Sequence, residues 1–228
     1  MIGESFTLDI DGDGLVADLG VPERSPQGLV VFAHGSGSGR ASPRNRTVAQ
    51  ALVNAGLATL LFDLLTPAEA ATDASTGAFR FDIGLLGRRL LGVLDRMKRD
   101  MRMGGLPFGV FGASTGAAAA LLAGAERPDL VDAVVARGGR PDLSTPLLAR
   151  VRAPTLLIVG GRDLDILRVN QESLPLLPHP SRLLLVPGAG HLFEEPGALA
   201  AVGRSASTWF HRYLMPHQRD TAVASEGR

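Results

Sequence analysis

From about residue 28 onward the chain alternates short, almost continuous apolar runs with longer segments patterned like helices. That rhythm predicts a parallel sheet covered on both faces, because parallel strands need crossover connections and apolar cover above and below. The runs at 28–33, 58–62, 108–111, 133–136, 155–159 and 182–186 read as buried strands. Ahead of them, 5–10 and 15–19 flank Asp11-Gly12-Asp13-Gly14, whose Asp-Gly pairs suit a tight hairpin. The expectation is a mostly parallel, doubly wound α/β sheet of about eight strands with an antiparallel N-terminal edge. Helices are expected at 45–55, 81–101, 115–125, 165–174 and 196–214, and a surface loop at 66–78. Residues 1–215 read as one domain and 216–228 as a polar, flexible tail.

Charge narrows the partners. Lys plus Arg and Asp plus Glu both total 23, so no bulk field exists to gather nucleic acid or an anionic membrane. Cysteine is absent, which removes disulfides, thiolate metal sites and a cysteine nucleophile together. No basic stretch followed by an apolar run opens the chain, and runs such as 117–123 are too short to cross a bilayer. A soluble, cytoplasmic protein is expected, acting on a small molecule, with no nucleic-acid or membrane partner; a homodimer is the oligomer to expect, if any.

Gly112-Ala113-Ser114-Thr115-Gly116 lies directly between a predicted strand and a predicted helix. In that context Gly-x-Ser-x-Gly forms a sharp turn that exposes the serine at the carboxyl edge of the sheet. The plainer alternative is a serine that only caps the following helix. A hydroxyl is a poor nucleophile at neutral pH, so catalysis by Ser114 needs a histidine base and an acid to orient it. Of five histidines, His191 in Gly190-His191-Leu192-Phe193 follows the last predicted strand and is the best base. His179, His211 and His217 read as surface residues, and His34 as a structural residue bracing the loop after the 28–33 strand. Asp163 leaves the same sheet edge after the 155–159 strand, with Asp165 and then Asp142 as rivals. The order Ser114, Asp163, His191 is the one this turn type calls for. The loop His34-Gly35-Ser36-Gly37-Ser38-Gly39 stands where a second oxyanion donor is needed beside the Thr115 N–H, and the Ser36 N–H is the choice.

Taken together, His34 to Gly39, Ser42-Pro43-Arg44-Asn45-Arg46, the Ser114 segment, Arg137-Gly138-Gly139-Arg140-Pro141-Asp142 and Gly190-His191-Leu192-Phe193-Glu194-Glu195-Pro196 resemble the dienelactone hydrolase-like branch of the α/β-hydrolases. The resemblance covers about 5–214. It implies the α/β-hydrolase fold, a Ser114, Asp163, His191 triad, an oxyanion hole of the Ser36 and Thr115 amides, and no metal or organic cofactor. Similar domains also occur fused to phosphoribosyltransferase-like domains. This chain departs from dienelactone hydrolases proper in carrying serine where they carry cysteine, which points to general carboxylic-ester chemistry, with lactones and thioesters open to the same acyl-enzyme route.

Arg44 and Arg137 are expected beside the site. Either can hold a substrate carboxylate by a bidentate contact; the structural alternative is a pair with Asp63, Asp142 or a loop carbonyl. No long insertion follows the 133–136 strand, so no large lid domain is expected and the cleft should be open. The leading function is a serine esterase, with a non-catalytic binding module of the same fold, or an acyltransferase using the same triad, as alternatives.

Overall fold

The hairpin forms first along the chain. β1 (Ile2–Ile10) and β2 (Asp13–Val21) pair antiparallel with Ile10 opposite Asp13, leaving Asp11 (φ 54°) and Gly12 (φ 89°) as the two turn residues. Both occupy the left-handed region, as a type I′ turn matched to the strand twist requires. The computed structural model describes residues 2–215; the expected tail at 216–228, and His217 with it, lie outside the described residues.

β2 joins the main sheet antiparallel through β4 (Ala58–Phe62), after which β3 (Leu29–Ala33), β5 (Phe108–Ala113), β6 (Val131–Arg137), β7 (Thr155–Gly160) and β8 (Arg182–Val186) all run parallel. The order is β1-β2-β4-β3-β5-β6-β7-β8. Register matters for the site: Ala33 pairs with Gly112 and Ala113 with Arg137, so β3, β5 and β6 end level and their loops converge.

Successive strand residues point to opposite faces. Val30, Phe32, Phe111, Val135 and Ile158 face α1 (Pro43–Asn54) and α7 (Ala198–Leu214), with Phe32 and Phe111 stacked at 4.8 Å between ring centroids. Val31, Leu60, Val110, Val134 and Leu157 face the opposite core, with α3 (Ile83–Lys98) and α4 (Thr115–Glu126). A 3₁₀ turn at Pro141–Ser144 and the one-turn α5 (Thr145–Leu148) follow β6, and α6 (Leu164–Ser173) follows β7. The connection after β6 is thus short, with no lid domain. Among the described residues no helix is long and apolar enough to cross a membrane.

Three expectations are corrected. Residues 66–78 are not a loop: α2 (Pro67–Thr76) runs through them, opened by a reciprocal cap between Thr66 and Glu69 and closed by Gly77 in the left-handed conformation. β8 is not buried on both faces, because it is the sheet's outer strand; Leu185 is 46% exposed. His211 is half-buried and ties α7 to the end of α1, its Nε2 lying 2.7 Å from the Ala55 carbonyl oxygen.

Candidate active site

β5 runs straight into the turn at Ser114. The Ser114 N–H extends the β5–β6 ladder by donating to the Arg137 carbonyl at 3.1 Å. Ser114 then adopts φ 52° and ψ −119° before α4 starts at Thr115, a conformation an L side chain holds only when its surroundings impose it. Close backbone approach imposes it here. A Cβ on Gly116 would stand 2.2 Å from the Ala33 carbonyl oxygen, and one on Gly112 2.5 Å from Ala117 Cα, so the turn closes only with glycine at both places. Ser114 occupies the N-cap position of α4, yet its side chain makes no capping bond, and its Oγ has no hydrogen-bond partner among the described residues. The capping alternative is thereby set aside.

The loop after β3 lies against this turn. A Cβ on Gly35 would be 3.0 Å from Ser114 Cβ, and Ser36 Oγ is 3.5 Å from Thr115 Oγ1. His34 braces the loop: its Nε2 accepts the Leu64 N–H at 3.0 Å and its Nδ1–H donates to the Gly35 carbonyl at 2.9 Å. Burial holds the His34 imidazole below the ordinary histidine range, against the opposing pull of the Gly35 carbonyl and the Asp63 charge.

Asp163 stands three residues beyond the end of β7. It is the N-cap residue of α6 and makes no capping bond; its carboxylate accepts the His191 Nδ1–H at 2.6 Å instead. That bond leaves Nε2 as the acceptor nitrogen of the neutral ring. The imidazole covers Gly138, where a Cβ would stand 3.5 Å from His191 Cε1, next to the Arg137 carbonyl that receives Ser114. The His191 loop is pinned by residues that the sequence did not single out. Gly190 N–H donates to Glu195 Oε1 at 3.0 Å, Arg162 pairs with Glu195, and the Arg162 N–H donates to the Ala189 carbonyl at 2.9 Å. The available signal was a charge beside each proposed triad member, Arg162 before Asp163 and Glu195 shortly after His191. Phe193, buried at φ 57°, anchors the far end of the loop. Of the rival acids, Asp165 is exposed in the first turn of α6 and Asp142 is held by Arg140 at 2.6 Å. His179 is exposed, away from these contacts.

The structural pairing considered for Arg137 is not what forms. Asp63 is taken by Arg40 at 3.2 Å and Asp142 by Arg140. Arg137 is 7% exposed, lies 5.7 Å from the Phe193 ring centroid, and has no hydrogen-bond partner at Nε or Nη1. Burial pulls its pKa down to about 10, and the nearby Arg44 charge adds to the effect. Arg44 itself reaches Glu194 at 3.2 Å, an exposed pair. Among the described residues no group of three His, Asp or Glu side chains is gathered to hold a metal ion.

The sheet order, the level strand ends and the strand-turn-helix at Ser114 define an α/β-hydrolase fold. No protein-family model matches the chain, but solved structures do. A dienelactone hydrolase from Anabaena variabilis is 52% identical and superimposes with a TM-score of 0.90 over 93% of this chain and 98% of that one. The chain belongs to the dienelactone hydrolase-like family of α/β-hydrolases. Est1E from Butyrivibrio proteoclasticus shares the fold at 16% identity, with a TM-score of 0.77 over 91% of this chain and 98% of its own. A Mycobacterium tuberculosis protein named as a candidate phosphoribosyl transferase is 54% identical over 196 residues, 86% of this chain. This chain spans 43% of that relative's length.

Proposed function

We propose that this protein is a serine esterase in which Ser114 is the nucleophile, His191 the general base and Asp163 the group that orients it. The observation that carries the reading is the pairing of a strained Ser114 whose hydroxyl does no capping with an Asp163 whose carboxylate also forgoes capping and holds His191 instead. Two helix N-caps left unused at one sheet edge have no stabilising purpose of their own, since an N-cap bond is typically worth about 1 kcal/mol. His191 Nε2 takes the Ser114 proton as Oγ attacks the ester carbonyl. The oxyanion is met by the Thr115 and Ser36 N–H groups, His191 returns its proton to the leaving alcohol, and water later releases the acid by the same steps.

A fluorophosphonate probe tests this directly: it should label Ser114 in the native protein, and Ser114→Ala should lower ester turnover by at least about a thousandfold. No labelling under conditions where a known serine esterase labels would remove the reading and leave a binding module of the same fold. The transferase name of the Mycobacterium relative attaches to a chain about twice as long, and the residues discussed here support a hydrolase centre.

A second reading concerns the substrate. Arg137 is assigned, with Arg44, to hold a carboxylate on the ester, supported by the two partnerless nitrogens of a buried guanidinium and the like charge of Arg44 beside it. An anion there would relieve both. Arg137→Ala should then lower kcat/KM on carboxylate-bearing esters about tenfold more than on neutral ones; equal losses would remove this role.

A further inference from the structure

Beside the Ser114 turn a cavity of about 220 Å³ opens between the loop after β3 and α2. Its walls include Ser36 and Thr115 at one end and Leu65, Ala70, Ala74 and Leu86 along its length. None of Ser114, His191 and Asp163 lines it; the cavity meets the site through Ser36 and Thr115, whose amides are the proposed oxyanion donors. In the tetrahedral intermediate the oxyanion faces the Ser36 and Thr115 amides, while the leaving oxygen must face His191 to receive its proton. The remaining substituent on the carbonyl carbon is the acyl chain, and it is directed away from His191. A cavity that borders Ser36 and Thr115 but not His191 fits the acyl side.

The chemistry of the walls selects what enters. Arg80 and Asp73 also line the cavity, but they satisfy one another: Arg80 Nε lies 2.9 Å from Asp73 Oδ2, and Asp73 Oδ1 accepts the Phe79 and Arg80 N–H groups at 2.8 and 2.9 Å. An acyl chain ending in a carboxylate would meet no free cation there and would face the Asp73 charge. An apolar cavity of roughly 150 Å³ admits benzene, so this one takes a group somewhat larger. Ala70 and Ala74, one helical turn apart on α2, are the small residues that leave the space open.

We infer that the α2 cavity is an acyl pocket for neutral, apolar acyl groups of about hexanoyl or benzoyl size, and that Ala70 and Ala74 set its depth. The inference rests on the esterase reading above and adds the class of acyl group. The carboxylate assigned to Arg137 belongs to the other side of the ester, because Arg137 packs with Phe193 on the α1 and α7 face of the sheet whereas the cavity is walled by α2 and by Leu86 of α3.

The test compares p-nitrophenyl acetate, hexanoate, benzoate and hydrogen adipate in the native protein and in Ala70→Phe and Ala74→Phe. Both alanines are exposed and line the cavity, so the larger side chain reduces it without overpacking the core. In the native protein hexanoate should be preferred to acetate, and to the carboxylate-bearing adipate. In either variant the hexanoate-to-acetate ratio of kcat/KM should fall by about tenfold. A ratio that does not move, a preference for adipate, or a fall instead in the ratio of phenethyl to ethyl acetate would overturn the assignment. Titrating Ser114→Ala with hexanamide while following the methyl resonances of Leu65, Ala70 and Leu86 tests the pocket without chemistry. Shifts that disappear on adding Ala74→Phe support it, and no shifts overturn it. Failure of Ser114 to react with the fluorophosphonate, by contrast, counts against the esterase reading alone.

Discussion

Single residues carry much of this site, and His34 shows how burial becomes a measurable property. Its ring is neutral when folded because Nε2 must accept the Leu64 N–H and because burial opposes the charge. A histidine whose folded pKa lies below the unfolded value, 6.5, takes its proton first in the unfolded chain. Stability from this group is therefore complete above pH 6.5 and declines as pH falls toward the lower folded value. Urea midpoints should drop on acidification through that window in the native protein, and the decline should flatten in His34→Gln, whose amide oxygen accepts the same N–H without titrating. An unchanged pH slope would mean another group dominates. Arg137 illustrates what residue type alone cannot say. Its position at a strand end beside Ser114 was readable, but its partners were not: the two aspartates that could have neutralised it are engaged by Arg40 and Arg140, both placed by loop geometry.

At the level of elements, α2 is the instructive case. Of its ten residues only Asp73 is buried, so the helical periodicity of apolar residues that reveals α3 or α7 is missing. The segment's Ala, Thr and Asp content then resembles a loop. Terminal and lateral contacts hold the helix instead: the Thr66 and Glu69 caps, the Glu69 to Arg89 ion pair at 2.9 Å, and the Asp73 carboxylate at the start of the next turn. The capping signals are present in the sequence, with Thr66, Pro67 and Glu69 in the right spacing and Gly77 at the end. Burial by itself pushes the Asp73 carboxyl up, but the Phe79 and Arg80 N–H groups and the Arg80 guanidinium outweigh it and leave its pKa below the usual 3.8. With a lowered carboxylate pKa, the contribution of Asp73 is complete above pH 3.8 and fades as pH falls through the folded value. Asp73→Asn should lower the urea midpoint at neutral pH, and its difference from the native protein should shrink in acid below that value. Thr66→Ala should cost about 1 kcal/mol by the same measurement.

For the whole molecule, the sheet separates two jobs. The acyl cavity stands on the α3 side and Arg137 on the α1 and α7 side, with Ser114 at the edge between them. Residues on opposite faces with no shared partner act independently. The double variant Ala74→Phe with Arg137→Ala should therefore show the product of the two single effects on kcat/KM for an ester carrying a hexanoyl chain and an anionic alcohol; a double effect that departs from that product by more than about twofold would mean the two arms are coupled.

The sequence by itself determined the layered α/β architecture, the hairpin turn, the strand-turn-helix at Ser114 and the order of the proposed triad. Each of these is local: an apolar run, a pair of turn residues or a glycine spacing acts within a few positions of the chain. Which strand became the exposed edge, which carboxylate met which guanidinium, and how a helix without an apolar face came to wall a cavity were decided only in the tertiary structure. Those outcomes depend on strand order and on loops brought together from distant positions. β8 is as apolar as a central strand, and only its place at the end of the sheet leaves Leu185 in water.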